Sequence, residues 1–393
     1  MSLQLSSAQK KHILVLLFLI PFLLGIGIDL YVPSLPAIKH YFQAPKTLVQ
    51  LTIGLYVLGY AFAQLLLGVL SDSLGRKKIL VVSGMLYTLI SFMGVFSVNI
   101  EMLLLCRILQ GCAIAGASVV CRAIVADCFT GLARAKAMTY FSTSWAFGPV
   151  IGPFIGGYLQ DYFNWQANFY FFGIYGLLTF VYAAIVLPET HLHLAPVHPR
   201  KIAKTVFEVM SHPQFMRYAM IASLIYAMLV VFNVIAPFLI QETLHYSAIA
   251  YGQIALLLGV GNFLGNFVNF WILHYLSIQK ITLYSLIAAL GMGLILLLMG
   301  LFIQPNLYII MLPIFFLFFF CGFIFPNIMT MNMNLFSTNA GTSSAIFGSW
   351  VSGGVAVFST IATLLGTETQ VPLAMMYLGI CVICVVLFCC SKR

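Results

Sequence analysis

The stretch GVLSDSLGRKK, residues 68–78, breaks two long apolar runs and decides how the chain is read. Gly68 and Gly75 permit close helix approach and a sharp turn, Asp72 is a short acceptor, and Arg76, Lys77 and Lys78 form a basic cluster. Between apolar runs this composition predicts a tight cytoplasmic loop joining two membrane helices. The simpler reading of the same residues is an ordinary positively charged inner loop with an incidental Asp.

The flanking runs are part of a chain-wide pattern. Hydrophobic residues make up 62% of the sequence and charged residues 7%, with a mean hydropathy of +1.06, whereas a soluble domain carries about 25% charged residues. The chain therefore belongs in a bilayer. A span takes about 20 apolar residues, so 393 residues hold about a dozen spans and leave no room for a sizeable soluble domain. The first run is too long for a signal-peptide core and reads as a retained helix.

The runs fall at 13–38, 48–70, 79–98, 102–126, 136–160 and 166–187, then at 214–240, 248–273, 281–303, 307–333, 340–365 and 371–390. Between them the polar, proline-containing stretch 188–213 reads as a linker. The predicted fold is an all-α integral membrane protein of twelve transmembrane helices, in two six-helix bundles at 1–187 and 214–393.

Lys10, Lys11, Arg76, Lys77, Lys78, Arg134, Lys136, Arg200, Lys201, Lys204, Lys280, Lys392 and Arg393 fall on one side, and Lys39 and Lys46 on the other. Positive charge is retained inside, so both termini are expected in the cytoplasm. The net charge of +9 thus reflects topology, and nucleic acid is not an expected partner.

The halves also repeat each other. Asp29 with Pro33 matches Asn233 with Pro237, FSTSW at 141–145 matches IFGSW at 346–350, and DSLGRKK at 72–78 has a degraded echo in HYLSIQK at 274–280. The offsets cluster at 202 to 205 residues, as expected of parallel repeats.

With G-x-L-S-D-x-x-G-R-K-K at residues 68–78, the chain resembles the major facilitator superfamily of transporters at the loop between its second and third helices. IDLYVPSLPAI at 28–38, RILQGCAIAGASVVCRAIVAD at 107–127 and LPET at 187–190 resemble its bicyclomycin-resistance type of drug/proton antiporters. This resemblance covers nearly the whole chain. It implies that Asp72, Gly75, Arg76 and Lys77 latch the two halves on the cytoplasmic side, with Asp127 a candidate partner for Arg76 and Asp72 facing the start of the eleventh span. It also implies that Arg107 takes part in proton transfer.

Few ionisable residues lie within the spans, and each costs about 2.5 to 3.5 kcal/mol at a helix centre. Asp29 sits roughly 17 residues, or about 25 Å, up the first span, and Arg107 about two turns into the fourth from its outer end. Their depths match, which suits a carboxylate that gains and loses a proton beside a cation. A permanent salt bridge between two helices is the alternative. Arg122, nearer the cytoplasm, is placed to snorkel to the interface.

GPVIGPFIGG at 148–157 puts Gly148, Gly152, Gly156 and Gly157 with Pro149 and Pro153 on the fifth span. Small residues every fourth position admit a neighbouring helix, as in ordinary packing. In the family this pattern resembles the antiporter motif, which implies export. Candidate lining residues of a substrate cavity are Tyr31, Tyr56, Tyr60, Gln64, Gln110, Trp145, Asn233, Asn262, Asn266, Asn269 and Asn327, with hydrogen bonding between helices as the other reading.

The nine cysteines read as small apolar residues; Cys381, Cys384, Cys389 and Cys390 crowd the last span, where metal binding or lipidation is the alternative. His191, His193 and His198 lack acidic or cysteine companions, so no metal is expected. No phosphate-binding G-x-x-x-x-G-K-[ST] loop is present, so the expected energy source is the proton motive force, with no cofactor. The expected function is proton-driven export of small amphipathic organic molecules by a monomer in a bacterial inner membrane, not an enzyme. A dedicated metabolite or siderophore exporter, a proton-coupled importer and a non-transporting membrane sensor are the alternatives.

Overall fold

A computed structural model describes residues 6–190, 206–335 and 340–390. The linker residues His191, His193, His198, Arg200, Lys201 and Lys204, and the terminal Lys392 and Arg393, lie outside the described residues. The chain forms two compact units, one of Met1–Ala44 with Leu55–Arg200, the other of Pro45–Gly54 with Lys201–Arg393.

The first unit contains α1 (Ser7–Asp29), α2 (Leu35–Phe42), all but the first turns of α3 (Lys46–Leu74), α4 (Arg76–Val95), α5 (Ile100–Cys128), α6 (Gly131–Tyr162) and α7 (Gln166–Val186). The second contains α8 (Pro213–Phe238), α9 (Ala248–Ile272), α10 (Ile278–Phe302), α11 (Leu307–Met333), α12 (Ala340–Ala362) and α13 (Val371–Cys390). In hydrocarbon every backbone N–H and C=O must be satisfied within the segment, which is why these apolar runs fold as helices.

Among the described residues, eleven helical segments are long and apolar enough to cross a membrane. The other expected span is α6, a single helix of 32 residues made less apolar by its glycines, prolines and hydroxyl-bearing residues. Side chains such as Phe62, Leu178, Ile185 and Phe270 are exposed on the outer surfaces, as befits contact with lipid tails.

Two expectations are corrected. The first span is not one helix. It ends at Asp29, passes through a 3₁₀ turn at Val32–Ser34 and resumes as α2, because Pro33 and Pro36 lack the N–H groups that would bond back to residues 29 and 32. Nor is 68–78 a loop: α3 continues to Leu74 and α4 starts at Arg76. Gly75 alone makes the turn, with φ +96°, a conformation glycine adopts without strain. In the second unit, α8 widens after Pro237 into a π-helical turn at Leu239–Thr243, as a proline, with no N–H to donate four residues back, disturbs the regular ladder.

The second unit includes Pro45–Gly54, which the expected division at 188–213 leaves with the first bundle. Two hydrogen bonds account for this: Gln50 Nε2 donates to the Val234 carbonyl at 2.7 Å, and Lys46 Nζ donates to Thr367 Oγ1 at 2.9 Å.

Glycines set the closest helix approaches. In the first unit, a Cβ on Gly148 of α6 would strike the backbone of Gly25 in α1, and one on Gly156 would strike the Leu30 carbonyl. The spacing of GPVIGPFIGG thus seats α1 directly on α6. Gly156→Val is expected to cost at least 1 to 3 kcal/mol, the usual range for overpacking, and to lower the thermal midpoint of purified protein. Gly353→Ala, where a Cβ has nothing within 4 Å, is expected to leave the midpoint within a degree or two, about 0.5 kcal/mol or less.

Candidate functional site

Arg107 is wholly buried in α5 of the first unit. Its Nη2 donates to the Gly27 carbonyl at 2.9 Å, and its Nη1 to Gln110 Oε1 at 2.9 Å. The guanidinium carbon lies 4.2 Å from the ring centroids of both Tyr31 and Tyr56. The cation is therefore held by two oxygens and two aromatic faces, interactions that strengthen when water is excluded.

Each wall of this socket has a local cause. Tyr31 occupies the break between α1 and α2 created by Pro33. Tyr56 reaches in from α3, its hydroxyl filling the place where a side chain on Gly27 would stand. Gln110 lies one turn along α5 from Arg107, and its amide is oriented by donating from Nε2 to Ser91 Oγ at 2.9 Å, while Ser91 donates to the Tyr87 carbonyl at 2.7 Å. Arg107 Nε and the hydroxyls of Tyr56 and Tyr87 are buried with no hydrogen-bond partner among the described residues.

Asp29 is 6% exposed and closes α1, two residues beyond the carbonyl that receives Arg107. Its Cβ lies 3.4 Å from the position a Cβ would take on Gly152. The glycine face of α6 therefore meets α1 at the level of Asp29, with Gly148 and Gly152 buried along it and Pro153 and Gly157 buried nearby. Pro149 is half-buried.

A second charged cluster forms where α3, α4 and α5 end in the first unit. Arg76 is nearly buried, with Nε donating to Asp127 Oδ2 at 3.2 Å and Nη1 donating to Ser71 Oγ at 2.6 Å and to Asp72. The Arg76 and Lys77 backbone N–H groups both donate to Glu189, at 2.9 and 3.2 Å. The start of the eleventh span, expected to face Asp72, adjoins residues 336–339, outside the described residues.

The other candidates are dispersed. Tyr60 pairs with Ser118 at 2.8 Å, Trp145 is half-buried on α6, and Gln64 is buried in α3. In the second unit Asn233 accepts from the Tyr251 hydroxyl at 3.1 Å, Asn262 donates to the Phe318 carbonyl at 3.1 Å, and Asn266 donates to the Asn262 carbonyl at 3.2 Å. Asn269 and Asn327 exchange two bonds of 3.0 Å. Arg122 is half-buried. Cys381 and Cys384 are buried, Cys389 and Cys390 exposed, and no group of three or more metal-ligating side chains occurs among the described residues.

Sequence reasoning brought Asp29, Arg107, Tyr31, Tyr56 and Gln110 forward; Tyr31, Tyr56 and Gln110 wall the socket that Arg107 fills, and Asp29 lies two residues along the chain from its fourth wall, Gly27. It missed Gly27, Ser91 and Glu189. LPET marked the end of α7, but nothing in its spelling says which helix its acid would reach.

The sequence profile of the Major Facilitator Superfamily matches residues 17–359. A Rickettsia bellii protein described as an uncharacterized transporter is 28% identical over 66% of this chain, which spans 64% of that relative's length. The uncharacterized MFS-type transporter YdgK of Bacillus subtilis is 30% identical, with 88% of this chain and 87% of the relative covered. The chloramphenicol resistance protein CraA of Acinetobacter baumannii is 28% identical over 69% of this chain and 65% of its own length. Among solved structures, a D-xylose–proton symporter has a TM-score of 0.75 at 16% identity, covering 98% of this chain and 97% of that one.

Proposed function

Because the chain belongs to the Major Facilitator Superfamily, and so is a multi-pass membrane transporter of small molecules rather than an enzyme, we propose that it exports small amphipathic organic compounds in exchange for protons. In this reading both termini are cytoplasmic, the membrane is a bacterial inner membrane, the working form is a monomer, and the proton motive force supplies the energy.

The observation that carries the proposal is the buried Arg107 in its socket of Gly27, Gln110, Tyr31 and Tyr56, with Asp29 on the helix that supplies Gly27. A cation fixed at such cost within a span is expected to serve a function. In this reading it supplies a standing positive field in which the Asp29 carboxyl, two residues along the chain from the Gly27 carbonyl that Arg107 binds, takes up and gives up a proton. Export rather than uptake is supported by the GPVIGPFIGG face on which Asp29 rests, and by similarity to proteins named for resistance to chloramphenicol and multiple drugs. Asp72, Arg76 and Asp127 act as a latch in the transport cycle, and the polar side chains of the second unit, Asn233, Asn262 and Asn266, contribute to substrate recognition.

The test is substrate-induced proton release from energised everted vesicles, over a panel of chloramphenicol, lipophilic weak cations and iron chelators. Release on adding the first two classes is the expected result. Release with chelators alone would replace multidrug export by dedicated siderophore export, and no release by well-expressed protein would overturn proton exchange.

A further inference from the structure

We infer that Glu189 is a positioning residue of the Asp72–Arg76–Asp127 cluster, acting on Arg76 through the first turn of α4. The first N–H groups of a helix have no partner within it and ordinarily borrow one from the residue just before. Before α4 that residue is Gly75, which has no side chain to offer. The cap comes instead from 113 residues away: Glu189 Oε1 accepts from the Arg76 N–H at 2.9 Å and Oε2 from the Lys77 N–H at 3.2 Å. A carboxylate spanning both N–H groups also lies at the positive end of the helix dipole.

Gly75 is adapted to this arrangement twice. Its φ of +96° makes the turn, and a Cβ there would stand 2.5 Å from Glu189 Oε2. The carboxylate occupies the space that a side chain at position 75 would need. The adjoining residue completes the stitch, since the Thr190 hydroxyl donates to Asp127 Oδ2, the oxygen that also receives Arg76 Nε, at 3.4 Å.

Arg76 is therefore fixed from both ends, its backbone by Glu189 and its guanidinium by Ser71, Asp72 and Asp127. A displacement of Glu189 is thereby passed to Arg76 through the first turn of α4.

The bearing on transport rests on the efflux reading, so the first measurement needs no substrate. In purified protein reconstituted in lipid nanodiscs, Glu189→Gln is expected to speed amide exchange at residues 76–79 by about tenfold, the scale of a lost helix cap. Exchange at the start of α5, capped by Asn99, stays unchanged. Gly75→Ala, with Glu189 intact, is expected to expose the same amides. In transport assays Glu189→Gln lowers the maximal rate several-fold, about the effect of losing one cap, with little change in KM, and adds nothing in an Arg76→Ala background. Unchanged exchange at 76–79, exchange raised equally in every helix, or a multiplicative loss in the double variant would overturn the inference. Correct exchange behaviour in a protein that moves no substrate would leave the positioning role standing and count against efflux.

Discussion

Asp29→Asn is expected to abolish proton-linked transport, with a loss on the order of 100-fold, the lower range for removing an essential acid–base group. Asparagine keeps the size of aspartate and its contact with the Gly152 face, so folding and substrate binding should persist. Only the exchangeable proton is gone. The chain carries its own precedent for such a residue, because Asn233 stands at the equivalent place in the second repeat. There it is 7% exposed and bonded to Tyr251. The check is proton release from everted vesicles beside equilibrium binding of the same compound, in wild type and variant. Undiminished release would remove Asp29 from the mechanism.

The second large effect is expected from Arg107→Lys, which conserves charge and discards geometry. Placing a cation in a span costs about 2.5 to 3.5 kcal/mol. Against this stand two aromatic faces, about 0.5 to 2 kcal/mol each, and two charge-assisted hydrogen bonds, about 1.5 to 3 kcal/mol each. These terms depend on a flat, delocalised ion that stacks on both tyrosines while its edges reach Gly27 and Gln110. An ammonium is a compact, strongly hydrated point charge and cannot satisfy all four at once. The variant is expected to lose transport on the order of 100-fold, equivalent to about 2.7 kcal/mol, and to unfold several degrees lower. Full transport by the lysine variant would mean that charge alone suffices and that Tyr31, Tyr56 and Gln110 are packing.

The spans were legible because lipid leaves an apolar run no choice but a helix, and runs such as 307–333 and 371–390 coincide with their helices at both ends. That Arg107 would need partners was legible for the converse reason: in a bilayer a buried cation has to be held, and it is, by Gly27, Gln110, Tyr31 and Tyr56. Turns were harder. The Asp, Gly and three cations of 68–78 look like a loop, yet helical geometry persists to within one residue of Gly75 at either side. What charge predicts is depth in the membrane, and backbone conformation there follows from the position of a single glycine. Partners distant in sequence were not legible. That Gln110 turns its amide to Ser91, or that Glu189 reaches the start of α4, depends on which helices lie side by side. No local pattern encodes it.

The turn at Gly75 also limits how the first unit can move. Successive Cα atoms are about 3.8 Å apart, so with one residue between them the ends of α3 and α4 cannot separate by more than about two such steps. At about 1.5 Å per residue, helices of 29 and 20 residues form lever arms of about 44 and 30 Å meeting at a joint without slack. Swinging α4 by about 10° about that joint would carry its far end roughly 5 Å. Such a swing is smallest at Gly75 and largest near Ser91, at the other end of the arm, beside the amide that holds Arg107.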